Sequence, residues 1–333
     1  MKSVRLHGMG DLQLHEEDIP VAGAEEKVVR VQSIGVCGSD LHWFAEGGIG
    51  DARLDRPLVL GHEFSGVTGD GQRVAIDPAV SCGRCEFCEY GHPNLCSNLI
   101  FAGHGTTDGA MREWMAWSNK SLFPIPDSLS DDDGAMLEPL GVAIHTVDLG
   151  KVKPGMSVGV FGSGPIGLLI LQIAKLSGAA KIFATDKLLH RVEAAKAFGA
   201  SHAFLAEDGQ ELELIRSATA GRGVDVAFDA SGAPDAVEAA FAAVSVGGKV
   251  ILAGIPEDDR TSFNASLARR KGLTIKLVRR MKHTYPRAIE LVSKGLVDVR
   301  SLVTHRFPLE QAVEAFRVAQ RREGLKIIID VSG

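Results

Sequence analysis

Between an apolar run, Val158 to Phe161, and an apolar helical one, Ile166 to Leu176, lies the turn Gly162-Ser163-Gly164-Pro165-Ile166-Gly167. A G-x-G-x-x-G turn in that setting leaves little freedom of fold. Its glycines allow a tight turn and a close backbone approach, the third lets helix and strand pack, and the helix N-terminus offers N–H groups to an anion. Further strands, Lys181 to Thr185, Val224 to Phe228 and Lys249 to Leu252, alternate with helical stretches such as Arg191 to Phe198. That alternation predicts an α/β unit with a doubly wound parallel sheet.

Gly162, Gly164, Pro165, Ile166 and Gly167 therefore read as a cradle for a dinucleotide pyrophosphate, with Arg191 in the following helix beside the cofactor. Asp186 stands at the end of the next strand, where a carboxylate accepts bonds from ribose hydroxyls and repels a 2′-phosphate, favouring NAD over NADP. Lys187 beside it weakens that preference without reversing it. The bland alternative, a glycine turn with no nucleotide and a solubilising Asp, requires strand, turn, helix and acid to coincide by accident.

Four of the five cysteines form the run Cys82-x2-Cys85-x2-Cys88-x7-Cys96. An odd cysteine number in a reducing compartment argues for metal over disulfides. Four thiolates this close in sequence can wrap one tetrahedral ion, and Gly83 and Gly91 allow the turns between them. A zinc here would be structural, since the thiolates fill its shell. An iron–sulfur cluster or a redox thiol array uses similar spacing, and colour separates the cluster from zinc.

At 333 residues the chain has room for two domains. Its net charge of −6 carries no basic stripe, which disfavours nucleic acid and anionic membrane as partners. The longest apolar stretch, near Gly167 to Ala174, is too short to span a bilayer, and Met1-Lys2-Ser3-Val4-Arg5 opens no signal peptide, so the cytoplasm is expected. Short extended runs from Val28 to Asp77 predict a β-rich unit. After Pro286 come a helix Arg287 to Ser293, an extended run Leu302 to Phe307, an amphipathic helix Leu309 to Ala319 and a last strand Lys326 to Val331, which can return to the N-terminal sheet. Pro124 to Pro126 and Lys153 to Gly155 read as the connectors.

Singly, Cys37 reads as a small core residue, His62 as a bonded core histidine, and Glu63 and Glu138 as surface charges. Together, the segments that carry them resemble the catalytic zinc site of the zinc-containing medium-chain dehydrogenases. The resemblance covers essentially the whole chain and is nearest to the sorbitol, xylitol and idonate dehydrogenase branch. It rests on Cys37-Gly38-Ser39-Asp40-Leu41-His42-Trp43, Gly48-Ile49-Gly50-Asp51, Val59-Leu60-Gly61-His62-Glu63, Glu138-Pro139-Leu140-Gly141-Val142-Ala143-Ile144-His145 and the distant tail Leu302-Val303-Thr304-His305-Arg306-Phe307-Pro308-Leu309-Glu310. Glu138 stands where alcohol dehydrogenases with a second cysteine ligand carry it, which points to the polyol type.

The resemblance implies a discontinuous, GroES-like catalytic domain, residues 1–142 and 287–333, with a structural zinc lobe, and an inserted Rossmann domain, residues 143–286. It implies two zinc ions per chain. Cys37 and His62 bind the catalytic one directly, and Glu63 and Glu138 complete its shell, directly or through water. The implied reaction is that of a zinc- and NAD-dependent alcohol or polyol dehydrogenase, in which a secondary alcohol ionises and passes hydride to NAD. Ser39 and His42 resemble the family's proton relay, with Glu138 as the other candidate, and Arg280 matches an arginine near substrate and cofactor. Trp43 and Phe101 are expected to wall the substrate. The stretch from Cys96 to Asp108, containing His104, reads as shorter than in typical sorbitol dehydrogenases, so the exact substrate does not transfer. L-Threonine and 2,3-butanediol dehydrogenases, and a non-catalytic nucleotide-binding protein, are the competing readings. A homodimer or homotetramer is expected, with an edge strand near Thr274 to Leu277 available for pairing.

Overall fold

Consecutive apolar residues in the strands of the nucleotide-binding half demand cover on both faces of their sheet. In the computed structural model, which describes residues 1–207 and 209–332, they receive it: Ile182, Phe183 and Ala184 are all buried, as are Val226, Ala227 and Phe228. The chain divides into two units, Met1–Pro139 with Tyr285–Gly333, and Leu140–Thr284. The second unit holds six parallel strands in the spatial order His202–Leu205, Lys181–Asp186, Ser157–Phe161, Val224–Asp229, Val244–Leu252 and Thr274–Leu277. Strand order reverses beside Ser157–Phe161, where open sheets of this kind bind ligands. The strand read as starting at Lys249 begins at Val244, because Gly247 and Gly248 interrupt the apolar pattern without ending the ladder. The edge strand His202–Leu205, only four residues long, is one that the sequence pattern does not mark.

The first unit is built on a seven-stranded sheet. Along its main path lie Leu122–Pro124, Arg73–Ile76, Glu63–Thr68, Glu26–Gly35, Lys326–Asp330 and Val303–Pro308, and Trp114–Ser118 also pairs with Glu26–Gly35. The last strand does return to the N-terminal sheet, antiparallel to Glu26–Gly35, with Ile328 opposite Gly35. On the other side Gly35 faces Glu63.

Neither expected connector carries the chain between units. Pro124 closes a strand paired with Arg73–Ile76, and Gly155 (φ +89°) makes the turn before Ser157. The chain instead crosses at Pro139/Leu140, inside the helix Leu137–Gly150, and returns at Thr284/Tyr285, where the helix Tyr285–Ser293 begins. A helix satisfies its own backbone, so it can continue through a boundary where a strand would leave its ladder unpaired. Among the described residues no helix is long and apolar enough to cross a membrane.

A polar tie secures the N-terminal hairpin Lys2–Glu16. Arg5 donates to Glu17 and, at 2.9 and 3.1 Å, to Asp108, whose Oδ1 also accepts the Val59 N–H at 3.2 Å. The bond from Arg5 pulls the Glu17 carboxyl below its ordinary value of 4.5. A depressed folded-state pKa means that this stabilisation is complete above that ordinary value and is lost as pH falls through the folded one. Arg5→Met is therefore expected to lower stability by about 2 kcal/mol at pH 7, and the gap from the parent should narrow on acidification. Urea melts of both proteins at neutral and acid pH check this; a gap independent of pH would contradict it.

Candidate active site

Cys37 ends the strand-to-helix turn as N-cap of the helix Gly38–Glu46, three residues before Asp40. Asp40 is fully buried and ties two chain segments together. Its Oδ2 accepts the Cys37 N–H at 3.0 Å, and its Oδ1 lies 3.4 Å from the donating Gly61 nitrogen and 3.3 Å from His62 Nδ1. The family resemblance assigns Asp40 no role, although an acid at the third helical position after a capping residue is a recognisable signal. With Nδ1 facing a carboxylate, Nε2 is left for a metal, the arrangement that orients ligating histidines.

Donor atoms of Cys37, His62 and Glu63 all lie within 4.8 Å of one another. Thiolate, imidazole and carboxylate converging at that spacing fit a zinc ion with an open position. Glu63 and Lys326 form an ion pair, with side chains only 1% and 3% exposed. Burial opposes the Lys326 charge, yet Glu63, Cys37 and Glu138 raise its pKa above the ordinary 10.5. Glu138 is buried in the first turn of the helix Leu137–Gly150, outside the tight trio but close enough for Lys326 to feel its charge.

Ser39 Oγ stands 3.3 Å from His62 Nε2. His42 is bonded through Nδ1 to Glu46 at 2.9 Å. Phe101 packs on the His62 ring at 5.3 Å, and His104 packs edge-on against the buried Trp43 at 5.5 Å and against Phe101 at 6.2 Å. These rings form a continuous wall from His62 to the turn containing His104, closed by the His104–Thr107 bridge.

In the cysteine lobe, sulfur–sulfur distances are 3.5 Å for Cys85–Cys88, 3.8 Å for Cys85–Cys96 and 3.5 Å for Cys82–Cys96. Four sulfurs bound to one tetrahedral zinc at about 2.3 Å would sit about 3.8 Å apart, whereas a disulfide would bring two of them to about 2.05 Å. An iron–sulfur cluster would spread its four thiolates wider, because they bind more than one iron. Gly83 (φ +69°) and Gly91 (φ +75°) make the turns. The Cys88 N–H draws the Cys85 thiol down to about 6, while burial pushes Cys88 up to about 11.

Three glycines of the dinucleotide turn do different jobs. Gly162 has φ +95°, and a Cβ there would come 2.9 Å from Ser231 Cβ. A Cβ on Gly167 would collide with the Gly162 carbonyl oxygen. On Gly164 it would meet only Arg191, at 3.6 Å, an ordinary contact. Nothing in the protein demands that second glycine, which fits a cradle kept open for a pyrophosphate at the start of the helix Pro165–Leu176. Asp186, 8% exposed, accepts the Ser163 N–H at 2.8 Å and the Leu188 N–H at 2.9 Å, with Arg191 Nη1 3.9 Å away. Arg280, in the same unit, holds a positive φ of +56°.

Residues 23–127 match the family model described as alcohol dehydrogenase GroES-like domain, and residues 165–294 the one described as zinc-binding dehydrogenase. The sorbitol dehydrogenase of Bacillus subtilis is 36% identical over 99% of this chain and 97% of its own length. That of Homo sapiens is 35% identical over 98% and 95%. The crystal structure of L-idonate 5-dehydrogenase from Escherichia coli superposes with a TM-score of 0.91, at 26% identity, over 99% of this chain and 98% of that one.

Proposed function

The chain belongs to the zinc-dependent medium-chain dehydrogenases, in their sorbitol and polyol dehydrogenase branch, and from that we propose that it oxidises a secondary hydroxyl of an open-chain polyol or sugar acid to a ketone with NAD. The observation that carries this reading is the convergence of Cys37, His62 and Glu63, with Glu138 buried nearby where a second cysteine would mark a different branch. Cys37, His62 and Glu63 would hold the catalytic zinc, with Glu138 joining directly or through water, and Cys82, Cys85, Cys88 and Cys96 the structural one. Zinc, when bound, supplies a Lewis acid that polarises the substrate hydroxyl.

The chain's own groups then have distinct tasks. Asp40 holds His62 in one tautomer. Ser39, beside His62 Nε2, receives the hydroxyl proton, and the His42–Glu46 pair offers an onward acceptor near the surface. Trp43 and Phe101 exclude water along the carbon chain, and Arg280 serves substrate and cofactor. Gly162, Gly164, Pro165, Ile166 and Gly167 seat the pyrophosphate, Asp186 binds the ribose hydroxyls, and Arg191 flanks them. We also assign the protein to the cytoplasm, where thiolates stay reduced, and to a homo-oligomer paired along the edge strand Thr274–Leu277, whose Leu277 is 73% exposed.

NADH formation by the zinc-loaded protein across hexitols, pentitols, sugar acids, butanediols and threonine tests the reading. Turnover of a polyol or sugar acid, abolished by a chelator, is expected; turnover of threonine or a butanediol alone would move the assignment within the family. Asp186→Ser should lower the preference for NAD over NADP at least about ten-fold, because it removes a carboxylate that repels the 2′-phosphate. An unchanged ratio of kcat/KM values would remove Asp186 from cofactor choice.

A further inference from the structure

The metal trio places two acidic donors side by side in a buried pocket, and Glu138 adds a third acid nearby. A dication alone would leave that pocket negative. Lys326 supplies the remaining positive charge from the far end of the chain: its strand lies beside Glu26–Gly35, which lies beside Glu63–Thr68. In this register Glu63, Gly35 and Ile328 stand in one row across three strands, and Lys326 lies two residues before Ile328 on the same face. Gly35 makes the contact possible. A Cβ there would collide with Glu63 Oε2 and come 2.9 Å from Lys326 Cε.

We propose that Lys326 is a positioning residue for the metal site, holding Glu63 Oε2 above Gly35 so that the other carboxylate oxygen is presented with Cys37 and His62. The inference rests on reading that trio as a zinc site, and is independent of which alcohol is oxidised. A lysine that merely braced the sheet would leave the ligand field of the metal unchanged; one that acts through Glu63 cannot.

The test is cobalt(II) exchanged into the catalytic site of the full chain, with zinc retained in the cysteine lobe. Lys326→Met and Glu63→Gln are each expected to shift the cobalt ligand-field and thiolate charge-transfer bands and to lower kcat by about ten- to a hundred-fold. The double variant should lose no more than the worse single one, since both changes break the same link. Parent-like cobalt bands in Lys326→Met, or losses that multiply in the double variant, would overturn the proposal. Lys326→Gln removes the charge and keeps a polar side chain, so it carries the same test should Lys326→Met fail to fold: displaced bands support the link and parent bands refute it. A parent chain that takes up metal only in the cysteine lobe would overturn the zinc-site reading and this inference together. Failure of the polyol panel with the cobalt result intact would overturn the substrate alone.

Discussion

His62→Ala is expected to lower kcat/KM by about a thousand-fold or more, equivalent to about 4 kcal/mol of transition-state stabilisation. The imidazole is one of three converging donors, and the site offers no second nitrogen ligand among the described residues grouped there. Its loss also leaves the Asp40 carboxylate without the ring it orients. Metal analysis should fall from two zinc ions per chain to one, while the cysteine lobe keeps its ion. Circular dichroism should remain that of the parent, because the nucleotide-binding unit does not depend on the trio. Retention of turnover by a variant carrying one metal would mean that the reaction does not pass through this site.

Cys88→Ser is expected to unfold the lobe between Cys82 and Ile100 while leaving the remaining chain folded. Asn94 and Cys96 are the buried side chains of this segment, and Phe87, Tyr90, Leu95 and Ile100 are all more than 40% exposed. Such a lobe has little apolar core to hold it, so ion binding must supply most of its folding free energy. Limited proteolysis should cut the variant within the lobe at least about a hundred-fold faster than the parent, with one zinc lost per chain. Parent-like protection in a variant lacking that zinc would show that backbone contacts suffice. A chelator strong enough to strip both sites should reproduce the lobe cleavage in the parent.

Features whose cause is local were legible in the residues. The dinucleotide turn was readable because strand, glycines and helix adjoin, and the demands on Gly162 and Gly167 arise within that turn and its neighbouring loop. The cysteine lobe was readable because its four sulfurs come from fifteen consecutive residues. The Cys37, His62 and Glu63 trio was not readable from its residues one at a time, since a half-buried cysteine, a bonded histidine and a lone glutamate each have ordinary explanations; resemblance to a family supplied it. The expected connectors failed because proline and glycine mark turns, whereas the chain first passes between units inside a continuous helix and returns at the start of another.

The sequence by itself determined two sites of local geometry, a parallel nucleotide-binding sheet, and a tail able to rejoin the first domain. Only the tertiary structure decided that Asp40 links Cys37 to His62 and that Lys326 meets Glu63 over Gly35. Spacing and turn chemistry act over a few residues, so they can be read along the chain. Contacts between distant segments depend on strand register, and a one-residue slip would turn Lys326 to the opposite face of the sheet.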